Sequence, residues 1–172
     1  LREEAADAVR ELKEAGITKV VMMTGDSERT AAAIAKRVGV DEYYSEVLPE
    51  DKASFVEKEK ELGHKVIMIG DGINDSLALS SASVGIAISD GAAIAREIAD
   101  VTISADNLHE IVTLKRLSTA LMKRIHNNYR TIIGINGGLI ALGVTGIIMP
   151  TTSALLHNMS TLTISLRSMR NL

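Results

Sequence analysis

Acidic, hydroxyl and lysine side chains in the first half of the chain occupy positions that suit phosphoryl transfer. Asp71 and Asp75 stand in the glycine-rich segment Gly70-Asp-Gly-Ile-Asn-Asp75, and carboxylate oxygens are ligands that Mg²⁺ prefers. Thr24 could donate its hydroxyl and its backbone N–H to a phosphate oxygen at the start of a helix. Lys52 could offset the charge of the transferred group. The sequence therefore predicts a hydrogen-bond donor to the phosphate oxygens, a cation and a magnesium site. These are three of the four parts that phosphoryl transfer through an aspartate needs.

Short apolar runs alternate with helical patterns around these residues. The runs typical of buried parallel strands lie at 19–24, 65–69, 83–88 and 101–103, and 43–47 could form one more short strand. Helical spacing and helix start or stop residues fill the intervals, at 3–15, 27–37, 49–63, from 76 and from 92. This alternation predicts an α/β fold with a doubly wound parallel sheet and right-handed crossovers.

The carboxyl edge of that sheet should gather the candidate residues. Thr24 and Asp26 follow the first strand, and Asp71 and Asp75 follow the strand at 65–69. Doubly wound folds bind their ligands at this edge. Residues that are far apart in the sequence would therefore form one site, where Asp26 or the serine after it could also cap the next helix.

Composition excludes several other functions. The 172 residues are enough for one domain and a small appendage, and a net charge of −3 argues against a nucleic-acid partner. Aromatic residues make up only 2% of the chain, which leaves little surface for stacking bases. The chain has no cysteine, so disulfides, a cysteine metal clamp and a cysteine nucleophile are excluded.

Charge is distributed unevenly along the chain. Lys, Arg, Asp and Glu are frequent up to Arg130 and absent from Thr131 to Leu166. We expect two transmembrane helices in this uncharged stretch, separated at Pro150, and an amphipathic linking helix before them. Their expected ranges are 131–149, 151–169 and, for the linking helix, 108–130. The alternative is a buried helical hairpin in a soluble protein.

Basic residues flank both outer ends of the uncharged stretch. Arg124 and Arg130 precede it, and Arg167 and Arg170 follow it. Because lysine and arginine favour the cytoplasmic side, both ends of the hairpin should lie in the cytoplasm. The sequence thus predicts an integral protein of the plasma membrane, with a lipid bilayer around the hairpin and residues 1–130 in the cytoplasm.

Three motifs occur in a fixed order across the first 80 residues. They are Met23-Thr-Gly-Asp26, Pro49-Glu-Asp-Lys52 and Gly70-Asp-Gly-Ile-Asn-Asp-Ser-Leu-Ala-Leu79. Together they resemble successive motifs of the P-type ATPases within the haloacid-dehalogenase superfamily. The resemblance implies a parallel sheet of the haloacid-dehalogenase type over residues 1–107, an ATP-driven cycle with an aspartyl-phosphate intermediate, and Mg²⁺ as cofactor.

The resemblance also implies a role for each motif residue. Thr24 would bind phosphate, with Gly25 and Asp26 in the loop used for dephosphorylation. Lys52 would be the lysine of the phosphate site. The magnesium site would use Asp71 as principal acid with Asp75 beside it, and Asn74 would support this site.

The family's nucleophilic aspartate, in the motif Asp-Lys-Thr-Gly-Thr, does not occur in these residues. Neither does the nucleotide-binding insertion that would separate it from this segment. Leu1 begins within a helical pattern and no start methionine precedes it, so we expect residue 1 to be a cut inside a longer protein. The chain alone should therefore be inactive, and the missing N-terminal part would be its partner in hydrolysing ATP.

The two expected spans resemble the last two spans of heavy-metal P-type ATPases. Ile135-Asn136 stands where copper pumps carry Tyr-Asn, and His157-Asn-Met-Ser160-Thr161 stands where they carry Met-x-x-Ser-Ser. Imidazole in place of a thioether favours a divalent transition-metal ion such as Zn, Co, Ni, Cd or Mn. The candidate ligands for the transported ion are Asn136, His157, Ser160 and Thr161. Hydrogen bonding between helices is the alternative role for such side chains.

Two other functions stay open from the sequence. A soluble haloacid-dehalogenase-type phosphatase would share the motifs of the first half, although the uncharged stretch argues against it. A non-catalytic fragment that binds phosphate or a partner without turnover would explain the absent nucleophile. The interpretation that accounts for both halves is one part of an ATP-driven metal-ion pump.

Overall fold

The computed structural model describes residues 4–71, 74–88, 97–103 and 108–169, which divide after Leu114 into two compact units. The first unit contains the strands β1 Val21–Met23, β2 Glu42–Tyr44, β3 Ile67–Gly70, β4 Val84–Ile88 and β5 Val101–Ile103. Its helices are α1 Ala5–Glu14, α2 Glu28–Val38, α3 Pro49–Glu61 and α4 Ser76–Ser81. Two longer helices follow, α5 His109–Val144, which begins in the first unit, and α6 Pro150–Ser168. The helix expected from residue 92 begins outside the described residues.

All strand pairs are parallel, as predicted, but they form two sheets. β1 pairs with β2, with Val21 opposite Glu42. β4 lies between β3 and β5, and Ile86 is opposite both Ile69 and Val101. Within the described part of the chain no ladder joins the two sheets. The single sheet expected from the sequence is therefore divided, because β1 and β3 each have a partner strand on one side only.

Burial of the strands follows their position in these sheets. Residues 85–87 of β4 are buried, whereas β1 is half-buried and Ile67 of β3 is 39% exposed. The prediction that the first two apolar runs are fully buried was wrong, because both form edge strands. The core of the unit is a cluster of Ile86, Ile103 and Ile111, from β4, β5 and α5.

Gly85 lies where β4 passes close to the end of α4. A Cβ added to Gly85 would stand 2.6 Å from the carbonyl oxygen of Leu79, and Leu79 itself is fully buried. Since the nearest atoms belong to backbone, rotation of a side chain cannot relieve this clash. Glycine at this position therefore permits the close packing of α4 on the second sheet.

Asp41 joins three segments at the start of the first sheet. Its Oδ1 accepts a hydrogen bond from Lys13 Nζ at 2.7 Å, and its Oδ2 accepts one from the Val20 N–H at 2.7 Å. The hydrogen bond from Lys13, followed by that from Val20, lowers the pKa of Asp41 below its ordinary value. The ionised carboxylate therefore fixes α1 and the beginning of β1 relative to β2.

The second unit, residues 115–172, contains α6 and the part of α5 that follows Leu114. α5 is one continuous helix of 36 residues, where the sequence predicted a linking helix and a separate span that meet at residue 131. It ends at Val144 rather than near 149 because Gly146 takes a φ of 75°, and the Ile147 N–H donates to the Leu142 carbonyl at 3.0 Å. This is the glycine-terminated pattern of helix ends.

Neither α5 nor α6 combines the length and the apolar character that crossing a membrane requires, and the same holds for every helix in the described residues. The spans expected at 131–149 and 151–169 stay a prediction. Hydrogen bonds join the two helices near the C-terminal end of α6, where Arg124 Nη1 donates to the Ser168 carbonyl at 3.3 Å and Asn128 Nδ2 donates to Ser168 Oγ.

Replacing Gly85 by alanine should destabilise the first unit, because the new methyl group meets the backbone of α4. We expect a loss of about 1–3 kcal/mol in the free energy of unfolding, measured by urea denaturation. Gly134→Ala is the matched control, since a Cβ at Gly134 would meet nothing within 4 Å. Equal stability of Gly85→Ala and the unchanged protein would contradict this packing.

Replacing Asp41 by asparagine should weaken the fold at neutral pH and flatten its acid sensitivity. The folded pKa of Asp41 is lowered, so its contribution is present above the unfolded pKa and is lost as the pH falls through the lower folded pKa. Urea midpoints between pH 7 and pH 3 would measure this. Asp7→Asn is the control, because Asp7 is exposed and its ion pair is with Arg10, one turn away on the same helix. An unchanged pH profile in Asp41→Asn would contradict the role given to Asp41.

Candidate functional site

The loop Thr24-Gly25-Asp26 begins where β1 ends. The Thr24 N–H donates to the Tyr44 carbonyl at 3.0 Å and thereby extends the pairing of β1 with β2. Thr24 Oγ1 donates to Asp26 Oδ2 at 3.0 Å and accepts from the Asp26 N–H at 3.1 Å. The prediction that both the hydroxyl and the N–H of Thr24 serve a phosphate was wrong for the N–H, because β2 already engages it.

The helix after this loop starts without the side-chain cap that the sequence suggested. Ser27 occupies the cap position of α2 but makes no capping hydrogen bond. Its hydroxyl lies 3.2 Å from Thr30 Oγ1 instead, and the carboxylate of Asp26 faces Thr24. Asp26 is therefore part of the Thr24 loop rather than a helix cap.

Lys52 lies in the first turn of α3, which Pro49 opens. Its Nζ forms an ion pair with Asp75 Oδ1 at 2.7 Å, and the two side chains are only 14% and 13% exposed. Asp75 stands at the cap position of α4 and makes no capping bond there. The structure thus brings together the predicted phosphate-site lysine and one of the predicted magnesium acids, which are 23 residues apart.

Asp71 and Asn74 form the exposed part of the loop after β3. Asp71 Oδ1 accepts a hydrogen bond from the backbone N–H of Asn74 at 3.2 Å. Asn74 therefore holds Asp71 through its main chain. Gly72 lies outside the described residues. Asp75 requires glycine at position 70, because a Cβ added to Gly70 would stand 2.5 Å from Asp75 Oδ2.

The donor set of this loop fits a magnesium ion. In the described residues no group of three or more histidine, cysteine or acidic side chains could hold a metal. Mg²⁺ does not need such a cage, because it is commonly bound by one or two carboxylates together with water and phosphate oxygens. Asp71 and Asp75 supply two carboxylates from one short loop, with Lys52 beside them to balance charge.

The polar residues predicted for the transported ion lie in the second unit. His157 Nδ1 is 2.9 Å from Asn136 Oδ1, which joins α6 to α5. Ser160 Oγ and Thr161 Oγ1 both donate to the His157 carbonyl, at 2.8 and 3.0 Å. The structure therefore places His157 and Asn136 in contact, whereas the two hydroxyls bond back to their own helix.

A glutamate near the Thr24 loop makes two contacts that were not expected from the sequence. Glu28, the first residue of α2, accepts hydrogen bonds from Tyr43 and Ser45. A glutamate in the first turn of a helix is ordinarily explained by the helix dipole alone. No pattern in the sequence marks its partners, which lie 15 and 17 residues away.

Comparison with known proteins agrees with this fold and this set of motifs. The family model of haloacid dehalogenase-like hydrolases matches residues 1–83. The chain is 37% identical over 171 residues to a zinc-exporting P-type ATPase of Mycobacterium marinum and, with the same identity, to a manganese-exporting P-type ATPase of Mycobacterium bovis. Both alignments include 99% of this chain and 23% and 24% of the relatives.

A solved structure of a metal-transporting P-type ATPase is also similar to this chain. The crystal structure of a zinc-transporting PIB-type ATPase superposes with a TM-score of 0.85 and 34% identity, over 99% of this chain and 28% of that one. The chain therefore spans about a quarter of the length of the relatives it matches. By sequence and by fold, this chain is homologous to one part of the heavy-metal P-type ATPases, and its first 83 residues match the haloacid dehalogenase-like hydrolases.

Proposed function

We propose that this chain is part of an ATP-driven pump for a divalent transition-metal ion, working through an aspartyl-phosphate intermediate. The observation that carries the proposal is the ion pair between Lys52 and Asp75 at 2.7 Å. It joins two of the three motif segments at the carboxyl end of β3, where doubly wound folds bind ligands. The third segment, at Thr24, follows the carboxyl end of β1.

Each residue of this site has its own role in phosphoryl transfer. Lys52 supplies positive charge next to the transferred group. Thr24 offers its hydroxyl to a phosphate oxygen when that hydroxyl leaves Asp26, and Asp26 then has a free carboxylate to help organise hydrolysis of the acyl phosphate. Asp71 and Asp75 would hold Mg²⁺, which supplies neutralisation of charge on the phosphoryl oxygens when bound.

The nucleophilic aspartate would come from outside these 172 residues, because the motif Asp-Lys-Thr-Gly-Thr does not occur among them. The divided sheet supports this part of the proposal. β1 and β3 each have one edge that pairs with no strand in the described residues, and the candidate residues follow the carboxyl ends of both. A further parallel strand between them would carry its own C-terminal residue to the same edge.

The proposal includes a membrane hairpin at about 131–149 and 151–169, with residues 1–130 in the cytoplasm. It rests on the absence of charged residues from Thr131 to Leu166, a stretch that includes the end of α5 and most of α6. The bond from Arg124 to the Ser168 carbonyl supports it, because it keeps the two basic ends of the hairpin together. Both ends would then face the same side of the bilayer.

His157 is the strongest candidate ligand for the transported ion. Its Nδ1 contacts the Asn136 side-chain oxygen, an acceptor, so in the neutral imidazole Nδ1 carries the proton and Nε2 keeps its lone pair. Asn136 would thus orient the ligand, as partners of metal-binding histidines commonly do. Relatives that export zinc and manganese are equally similar to this chain, so overall identity does not select the metal.

Replacing Lys52 by alanine should abolish most phosphorylation in the full-length protein that contains this chain. Loss of one charge-stabilising group at such a site commonly slows the reaction by about 10²–10³-fold. The measurement is phosphoenzyme formed from radiolabelled ATP in detergent, with Asp71→Ala as a second variant. Lys58→Ala is the control, because Lys58 is an exposed lysine on the same helix. Phosphoenzyme levels that survive Lys52→Ala and Asp71→Ala would sink the assignment of the site.

Replacing His157 by alanine should abolish stimulation of ATP hydrolysis by the transported metal. The full-length protein would be assayed against Zn²⁺, Cd²⁺, Co²⁺, Ni²⁺, Mn²⁺ and Cu⁺, and we expect one or more of the divalent ions to stimulate it. Asn136→Ala should weaken the apparent metal affinity by about 10–100-fold, as loss of an orienting partner does. Thr163→Ala is the control, because its hydroxyl donates to the Met159 carbonyl of its own helix. Stimulation by Cu⁺ alone would contradict the choice of a divalent ion.

A further inference from the structure

Glu28 connects the start of α2 to residues 43–47, a segment that includes the last two residues of β2. Its Oε1 accepts a hydrogen bond from the Tyr43 hydroxyl at 2.7 Å, and its Oε2 accepts one from Ser45 Oγ at 2.5 Å. The bonds from Ser45 and then Tyr43 lower the pKa of Glu28, and the bond to Glu28 raises the pKa of Tyr43. At neutral pH the glutamate is therefore a carboxylate that uses both of its oxygens on this segment.

The segment held by Glu28 contains a residue in an unfavourable backbone conformation. Glu46, next to Ser45, has a φ of 54°, which lies in the left-handed region that favours glycine. A non-glycine residue keeps such a conformation only where its surroundings impose it, and such residues cluster at functional sites. Glu28 holds the residue immediately before the strained one.

The Thr24 loop holds the same segment from the other side. The Glu46 N–H donates to the Asp26 carbonyl at 2.9 Å, and the Val47 N–H donates to the Thr24 carbonyl at 3.0 Å. The segment leads directly into Pro49 and the first turn of α3, which carries Lys52. The strained turn at Glu46 therefore lies between the phosphate-binding loop and the lysine helix.

We propose that Glu28 is a positioning residue for phosphoryl transfer: its two hydrogen bonds hold the strained turn at Glu46 and thereby fix the Thr24–Asp26 loop relative to Lys52. This proposal rests on the proposed function, because it assigns Glu28 a role in the same site. The carboxylate of Glu28 is engaged by Tyr43 and Ser45 rather than by Thr24 or Lys52. Glu28 therefore acts through the backbone of residues 45–47.

The test uses Glu28→Ala in the full-length protein, with two readouts. Hydrogen exchange of the segment around Glu46 and Val47 should become faster by about tenfold, because two of the hydrogen bonds that oppose relaxation of the strained turn are then lost. The rate constant for decay of the phosphoenzyme should fall by about tenfold, because the Asp26 loop is no longer held in place. A decay rate constant does not depend on the fraction of active protein, so partial unfolding alone would not change it.

Two further variants make the test specific. Glu46→Gly removes the strain, because glycine adopts this φ freely, and combining it with Glu28→Ala should restore at least half of the loss in both readouts. Glu61→Ala, an exposed glutamate at the end of α3, should change neither readout. The proposal is overturned if Glu28→Ala leaves both readouts unchanged, or if Glu46→Gly restores nothing. If the unchanged protein forms no phosphoenzyme, the proposed function fails, and hydrogen exchange alone decides whether Glu28 holds the turn.

Discussion

The ion pair between Lys52 and Asp75 is the contact on which the arrangement of the site depends. Its two side chains are 14% and 13% exposed, so neither charge is fully solvated and each needs the other. Packing of α3 against α4 brings the two together, and Val56 of α3 and Ala78 and Leu79 of α4 are almost completely buried. The hydrophobic contact of two helices thus fixes a charged pair at their N-terminal ends.

The second constraint is that other atoms approach the main chain of two strands closely, which glycine permits. Gly70 leaves room for the Asp75 carboxylate, and Gly85 leaves room for the last turn of α4. Both glycines lie on the second sheet, on either side of α4 in the sequence. The short helix that begins with the acidic loop can therefore pack tightly against the strands, which places Asp75 within reach of Lys52.

The first sheet holds the loop Thr24-Gly25-Asp26 with little apolar burial of its own strands. β1 and β2 are three residues each; β1 is half-buried and β2 is exposed. Polar contacts compensate for the missing apolar burial: Asp41 makes them at the beginning of the strands, and Glu28 makes them with Tyr43 in β2 and with Ser45 just beyond it. In the second unit, the contact between His157 and Asn136 likewise joins two helices through polar groups.

The sequence by itself determined the resemblance to the P-type ATPases, the order of the elements and the identity of the motif residues, because these depend on local patterns: apolar runs, turn residues and the ten residues from Gly70 to Leu79. It located the strands to within a few residues and placed Thr24, Asp71 and Asp75 after their ends. Only the tertiary structure decided which groups meet. Three of these contacts join segments that are distant in the sequence: the ion pair of Lys52 with Asp75, the hydrogen bond from the Thr24 N–H to Tyr44, and the bonds that Glu28 accepts. The continuity of α5 past residue 131 is a fourth feature that no local pattern records. The physical reason is that a hydrogen bond or an ion pair depends on distance in space, and packing of the helices and strands sets that distance.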